Sequence, residues 1–131
     1  MKLFGRNKKE NFGIQPKKNS QFPWIQLTSF EQLDKIKKAS VTKPVIIFKH
    51  STRCIVSRMV LREFESSFSK DQPDVSLYFL DLLTYRDVSN EIGSVFEVFH
   101  QSPQVIVVKN GQAVYHASHN DINSNNIKEF V

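Results

Sequence analysis

An α/β fold, with a central mixed sheet and helices on both of its faces, is what this sequence predicts, on three observations. Short β-branched and aromatic runs alternate with stretches of helical period. The order reads β-α-β-α-β-α-β-β-α. Near the end, Asn110-Gly111 stands between two apolar runs. Strands separated by helices require parallel crossovers, whereas an Asn-Gly turn joins an antiparallel pair, so the sheet must be mixed.

The elements follow in chain order. Trp24 to Leu27 reads as a first strand. Ser29 then looks like an N-cap for a helix over Phe30 to Lys38, with Glu31 and Gln32 in its first turn and Lys37 and Lys38 in its last, the polarity a helix dipole favours. Pro44 introduces Val45 to Phe48, a short apolar run of the kind that forms a buried strand. Four polar residues follow, then Cys54, which opens a helix to about Ser69. Val56, Met59, Val60, Phe64 and Phe68 mark that helix's apolar stripe. Asp71 to Asp74 breaks the chain, and Val75 to Asp81 reads as a third strand. A third helix is expected from Ser89 to Phe99, with Ile92, Val95, Phe96 and Phe99 on one face and Gly93 a weak spot, ended by His100 to Pro103. The hairpin pairs Gln104–Lys109 with Gln112–Ala117 about the Asn-Gly turn, and a last helix is capped near Asn120 or Asp121.

Size, charge and cysteine usage bound the function. A chain of 131 residues is one domain by prior and can bury a core without disulfides. A single cysteine excludes a disulfide scaffold and favours a reducing compartment. No run approaches a membrane span and the N-terminus lacks the apolar core of a signal peptide, so the cytoplasm is expected. The net charge of +5 suggests nucleic acid, yet residues 1–20 hold six basic residues and one acidic one, leaving the remainder neutral. A flexible basic tail over 1–20 and a folded domain over 21–131 is the expected organisation, with no nucleic-acid partner and no membrane span.

The chemistry centres on Cys54. Strand, polar turn, cysteine and helix, in that order, place a thiol among the unpaired N–H groups of a helix start, which stabilise negative charge and can lower a thiol pKa. His50, four residues earlier at a strand end, reads as a hydrogen-bonded structural histidine rather than a proton carrier. His100, His116 and His119 lack a cysteine or carboxylate at matching spacing, so no metal is expected.

His50-Ser51-Thr52-Arg53-Cys54-Ile55-Val56-Ser57, with Ser102-Pro103-Gln104-Val105 and Lys109-Asn110-Gly111 before Val114-Tyr115-His116-Ala117-Ser118-His119, resembles the YtxJ family of monothiol bacilliredoxins, within the thioredoxin-like fold. The likeness covers roughly residues 24 to 131. Two positions depart from the family's usual Thr-Cys-Pro-Ile-Ser: Arg53 replaces threonine and Ile55 replaces proline. Ile55 restores an N–H at the first helical position, and Arg53 adds a positive charge beside the sulfur.

The resemblance implies thiol–disulfide exchange with Cys54 and Ser57 catalytic, and Thr52, Arg53, Ser102 and Pro103 contacting substrate. Ser102-Pro103 corresponds to the cis-proline loop, whose backbone pairs with substrate main chain. Cys54-Ile55-Val56-Ser57 is a C-x-x-S, in which Ser57 shares a helix face with the sulfur and can donate to it but cannot close a disulfide. An ordinary helix serine is the competing reading. A lone thiolate suits removal of a small thiol from a protein mixed disulfide. The resemblance identifies that co-substrate as bacillithiol, with no resident cofactor. It also implies S-thiolated client proteins and a low-molecular-weight thiol with its reductase system as partners, and a monomer. Two other readings stand beside it: a non-enzymatic [2Fe–2S] cluster carrier bridged by two copies of Cys54, and a redox-inactive adaptor.

Overall fold

Val45–His50 carries apolar side chains toward both of its faces, a pattern that is stable only where a strand is covered on both sides. The computed structural model, which describes residues 22–68 and 74–131, makes it the central strand β2 of a five-stranded sheet. Around it run β1 (Ile25–Gln26), α1 (Glu31–Ala39), α2 (Ile55–Phe68), β3 (Ser76–Asp81), α3 (Arg86–Phe96), β4 (Gln104–Lys109), β5 (Gln112–Ser118) and α4 (Ser124–Lys128). The expected element order holds throughout. Strand order is β1-β3-β2-β4-β5, with β1, β3 and β2 parallel and β4 antiparallel to both β2 and β5.

Alternation along β2 divides the core. Val45 and Ile47 join Leu33, Ile36, Ile92 and Phe96 beneath α1 and α3. Ile46 and Phe48 join Phe64, Phe68 and Ile127 beneath α2 and α4. The same alternation sends Lys49 toward α3 and His50 toward α2. Trp24 anchors β1 by stacking on Phe64 and donating from Nε1 to Glu65 Oε2 at 2.6 Å.

Several boundaries differ from expectation. The first strand keeps only Ile25 and Gln26. Ser29 does not cap α1; Gln32 Oε1 instead accepts the N–H groups of Thr28 and Ser29 at 2.7 and 3.1 Å. β2 runs two residues further, because the ladder to β4 continues to Lys49 and the ladder to β3 to His50. On α2 the expected stripe fails at its start: Val56 and Met59 are exposed, and Ser57, Phe64 and Phe68 are the buried residues. α3 begins at Arg86 and ends at Phe96, where Glu97 adopts the left-handed conformation and Phe99 is thrown out of the core at 93% exposure. The final helix starts later than expected, after a 3-10 turn over His119–Asp121, and Asn123 caps it by accepting from the Asn125 N–H. Asn110 and Gly111 both have positive φ, as a type I′ turn requires. The basic tail, the end of the second helix at Ser69 and most of the breaker near Asp71 lie outside the described residues.

Candidate functional site

The C-terminal end of β2 and the N-terminal end of β4 are adjacent in the sheet, with Lys49 opposite Gln104. The loops that leave those ends, Ser51–Cys54 and Phe99–Pro103, therefore emerge side by side, one strand spacing apart. That edge, at the carboxyl ends of the parallel strands, is where open α/β sheets gather their chemistry.

Cys54 sits where the first loop becomes helix. Its N–H donates to Ser51 O at 3.2 Å, and its carbonyl accepts the first helical bond from Arg58 N at 3.1 Å. It thus occupies the N-cap of α2, with the N–H groups of Ile55, Val56 and Ser57 beyond it in the turn that lacks intrahelical partners. Cys54 is partly exposed and forms no disulfide. Ile55 and Met59, further along α2, are exposed at 63% and 62%.

Ser57 does not simply lie over the sulfur. It is fully buried, its Oγ accepts the Ser51 N–H at 3.1 Å, and it pairs with His50 Nδ1 at 2.8 Å. Those bonds tie the end of β2 to the first turn of α2 and so fix the loop that carries Cys54. His50 is buried, packs on the Phe79 ring and stands opposite Asp81 in the ladder. Burial holds its pKa below the ordinary histidine value; the Asp81 carboxylate opposes that shift and Arg58 adds to it. The imidazole is neutral near pH 7, and the position of its proton sets the direction of the Ser57 hydroxyl.

Thr52 and Arg53 are exposed at the tip of the loop. Thr52 enters the site through its carbonyl, which accepts from Arg58 Nη1 at 2.9 Å. Arg58 is the guanidinium that the fold pins across the cysteine loop, and it was missed in the sequence. Its spacing of four residues from Cys54, which places the two on one helix face, was the available signal.

On the neighbouring loop the Ser102–Pro103 peptide is cis. Pro103 is buried, and its carbonyl accepts the His119 N–H at 3.0 Å. Ser102 Oγ is shielded from solvent with no partner, as is Gln104 Oε1. Beneath the loop lies a residue the sequence reading passed over. Lys49, with 0% of its surface exposed, donates from Nζ to Ser89 O and reaches His100 Nδ1, both at 3.3 Å. Burial alone lowers it from 10.5 to about 8. Both faces of a central strand are covered, so extending β2 by one residue in the sequence would have flagged it.

Among the described residues, no three His, Cys, Asp or Glu side chains gather as a metal site, and no helix is long and apolar enough to cross a membrane.

Comparison with known proteins agrees with this arrangement. Residues 25–127 match the family described as Monothiol bacilliredoxin BrxC. Among solved structures, one described as having a thioredoxin fold is 29% identical, covering 83% of this chain and 94% of that one, with a TM-score of 0.73. Thioredoxin from Malassezia sympodialis is 20% identical over 80% of this chain and 84% of its own, with a TM-score of 0.61. Thioredoxin from Fasciola hepatica is 16% identical over 80% and 93%, also at 0.61. The last two likenesses concern the fold alone.

Proposed function

The chain belongs to the monothiol bacilliredoxin family, and from that premise we propose that it removes bacillithiol, or a small thiol like it, from protein mixed disulfides through Cys54. Family and thioredoxin fold together support thiol–disulfide redox chemistry. The observation that carries the finer reading is the place of Cys54, the only cysteine in the sequence: a partly exposed N-cap residue at the sheet edge from which the Ser102–Pro103 loop also emerges. A second thiol would resolve the first intramolecularly. With none in the chain, the mixed disulfide has to be discharged from outside.

The Cys54 thiolate attacks the small thiol's sulfur in the client mixed disulfide. A bond forms between Cys54 Sγ and that sulfur, the old S–S bond breaks, and the client cysteine leaves as a thiolate that takes a proton from solvent. The client sulfur is reduced and Cys54 is oxidised. An external low-molecular-weight thiol, kept reduced by its own reductase system, then attacks the Cys54 disulfide and restores the thiolate. Arg53 and Arg58 supply positive charge beside the sulfur. Ser102 and Pro103 receive the client main chain, and Thr52 lies at the rim. Ser57 takes part through His50. Ser57 Oγ accepts the Ser51 N–H and pairs with His50 Nδ1, which holds the loop that presents Cys54. A reactive unpaired thiol fits a reducing cytoplasm, and one sulfur per reaction requires only a monomer.

Mixing the protein with a client capped by bacillithiol and weighing both intact is the test. The expected result is a bacillithiol adduct on Cys54 and an uncapped client, with neither product from Cys54→Ser. A client that stays capped while Cys54 remains unmodified overturns the proposed function.

A further inference from the structure

A cation in the middle of a sheet is costly unless something repays its desolvation. Lys49 is flanked by β3 and β4, and its side chain reaches toward α3 on the sheet face that Val45 and Ile47 also cover. Among the described residues no carboxylate comes within ion-pair distance of it, and its two partners are the Ser89 carbonyl and His100 Nδ1. An aliphatic side chain would fill this position without desolvating a charge. What the amine adds is a link between pieces of chain that no backbone ladder joins: β2, α3, and the segment running from Phe99 to Pro103.

Apart from Pro103 at its end, which is buried and accepts the His119 N–H through its carbonyl, that segment has little else to hold it. Phe99 contributes almost no burial, at 93% exposure, and Ser102 Oγ has no partner. The ties are polar and come from below. Gln104, the cross-strand neighbour of Lys49, donates from Nε2 to Phe99 O at 2.9 Å. Ser89 Oγ lies 3.3 Å from His100 Nδ1, the same atom that Lys49 reaches. For Nδ1 to accept from an ammonium, the His100 ring must be neutral. The environment favours that form: burial, Lys49 and Arg86 all push the His100 pKa down.

We propose that Lys49 is a positioning residue: its buried amine ties the Phe99–Pro103 segment to β2 and α3, and so holds that segment's main chain where a client polypeptide is received. This deepens the function proposed above and rests on its placement of clients at Ser102 and Pro103. Lys49 takes no part in the exchange of sulfur bonds. Its effect falls on client capture and not on the reactivity of Cys54.

Two variants separate these roles. Lys49→Met keeps the length of the side chain and removes the amine, while His100→Ala removes the acceptor at an exposed position and leaves the amine in place. Each is compared with the unsubstituted protein in single-turnover release of a bacillithiol-capped client, with the redox protein in excess, and in reaction with hydroxyethyl disulfide, which has no main chain to capture. Amide hydrogen exchange at His100, Gln101 and Ser102 is followed alongside. The half-saturating concentration for client release is expected to rise on the order of tenfold in both variants, the scale of one lost charge-assisted hydrogen bond. The limiting rate and the hydroxyethyl disulfide rate stay unchanged, and loop exchange quickens by a similar factor. Unchanged client capture with unchanged exchange overturns the proposal, and so does an equal fall in both disulfide reactions, which would place the amine's effect on Cys54 itself. Should the unsubstituted protein release no client at all, the proposed function fails and takes the client-capture claim with it. The exchange measurement still decides separately whether Lys49 orders the loop.

Discussion

The hydroxyl of Ser57 has two partners, buried His50 and the partly buried Ser51 N–H, and this governs what its removal does. Ser57→Ala would strand His50 Nδ1 in the buried interior and remove the acceptor of the partly buried Ser51 N–H. Leaving buried polar groups unpaired costs about 1–3 kcal/mol, so a loss of that size is expected in urea unfolding, together with slower exchange at Cys54 because the loop that presents it loosens. A serine serving only the sulfur would slow the exchange without lowering stability, so the two measurements together separate the roles. Arg58 belongs to the same small system. Its guanidinium spans the loop to Thr52 O and lies close enough to His50 to disfavour the imidazolium.

At the scale of the element, α3 shows how a helix end aims a loop. The chain must leave the helix sharply to bring Phe99–Pro103 back across the sheet edge. Glu97 turns left-handed, and the Val98 N–H returns to Gly93 O at 3.2 Å. A Cβ on Gly93 would meet Val98 O at 3.0 Å, which is backbone and cannot swing aside. Alanine is normally worth about 1 kcal/mol over glycine inside a helix. Gly93→Ala is nevertheless expected to lower the melting temperature and to weaken client capture, because relief of the contact displaces the loop. An increase in melting temperature with capture intact would show that the close approach is unimportant. Gly93, a weak spot by propensity alone, is required here by space.

Over the whole molecule, the bases whose desolvation lowers their pKa set how stability changes with pH. A base whose folded-state pKa lies below its unfolded value binds fewer protons when folded, so stability rises with pH between the two values. For Lys49 that window runs from about 8 to 10.5, and the gain across it is on the order of 3 kcal/mol. For His50 and His100 the stability is fully present above 6.5 and is lost as pH falls below it toward their lowered values. Chemical denaturation between pH 5 and pH 10 is expected to show both slopes. Lys49→Met should abolish the alkaline one and be the more stable protein at pH 7, in spite of its poorer client capture. A variant less stable than the parent at pH 7 would mean that the two hydrogen bonds outweigh the desolvation of the charge.

What the sequence determined by itself was whatever local pattern encodes. The element order, the mixed sheet and the Asn110-Gly111 turn follow from periodicity and turn chemistry over a few residues, and Cys54 at a helix start follows from a strand, a polar turn and an amphipathic run. His50 was legible as a hydrogen-bonded structural histidine at a strand end, and it pairs with Ser57; Lys49, Ser57 and Phe99 were not legible in the same way, because burial is a property of neighbours distant in the chain. Lys49 is hidden by Gln104 and Ser89, Ser57 by His50, and Phe99 is exposed because α3 stops one turn early. Only the packed sheet decided which polar groups would lose water. At a buried site that loss, and the partners that offset it, fix what a side chain can do.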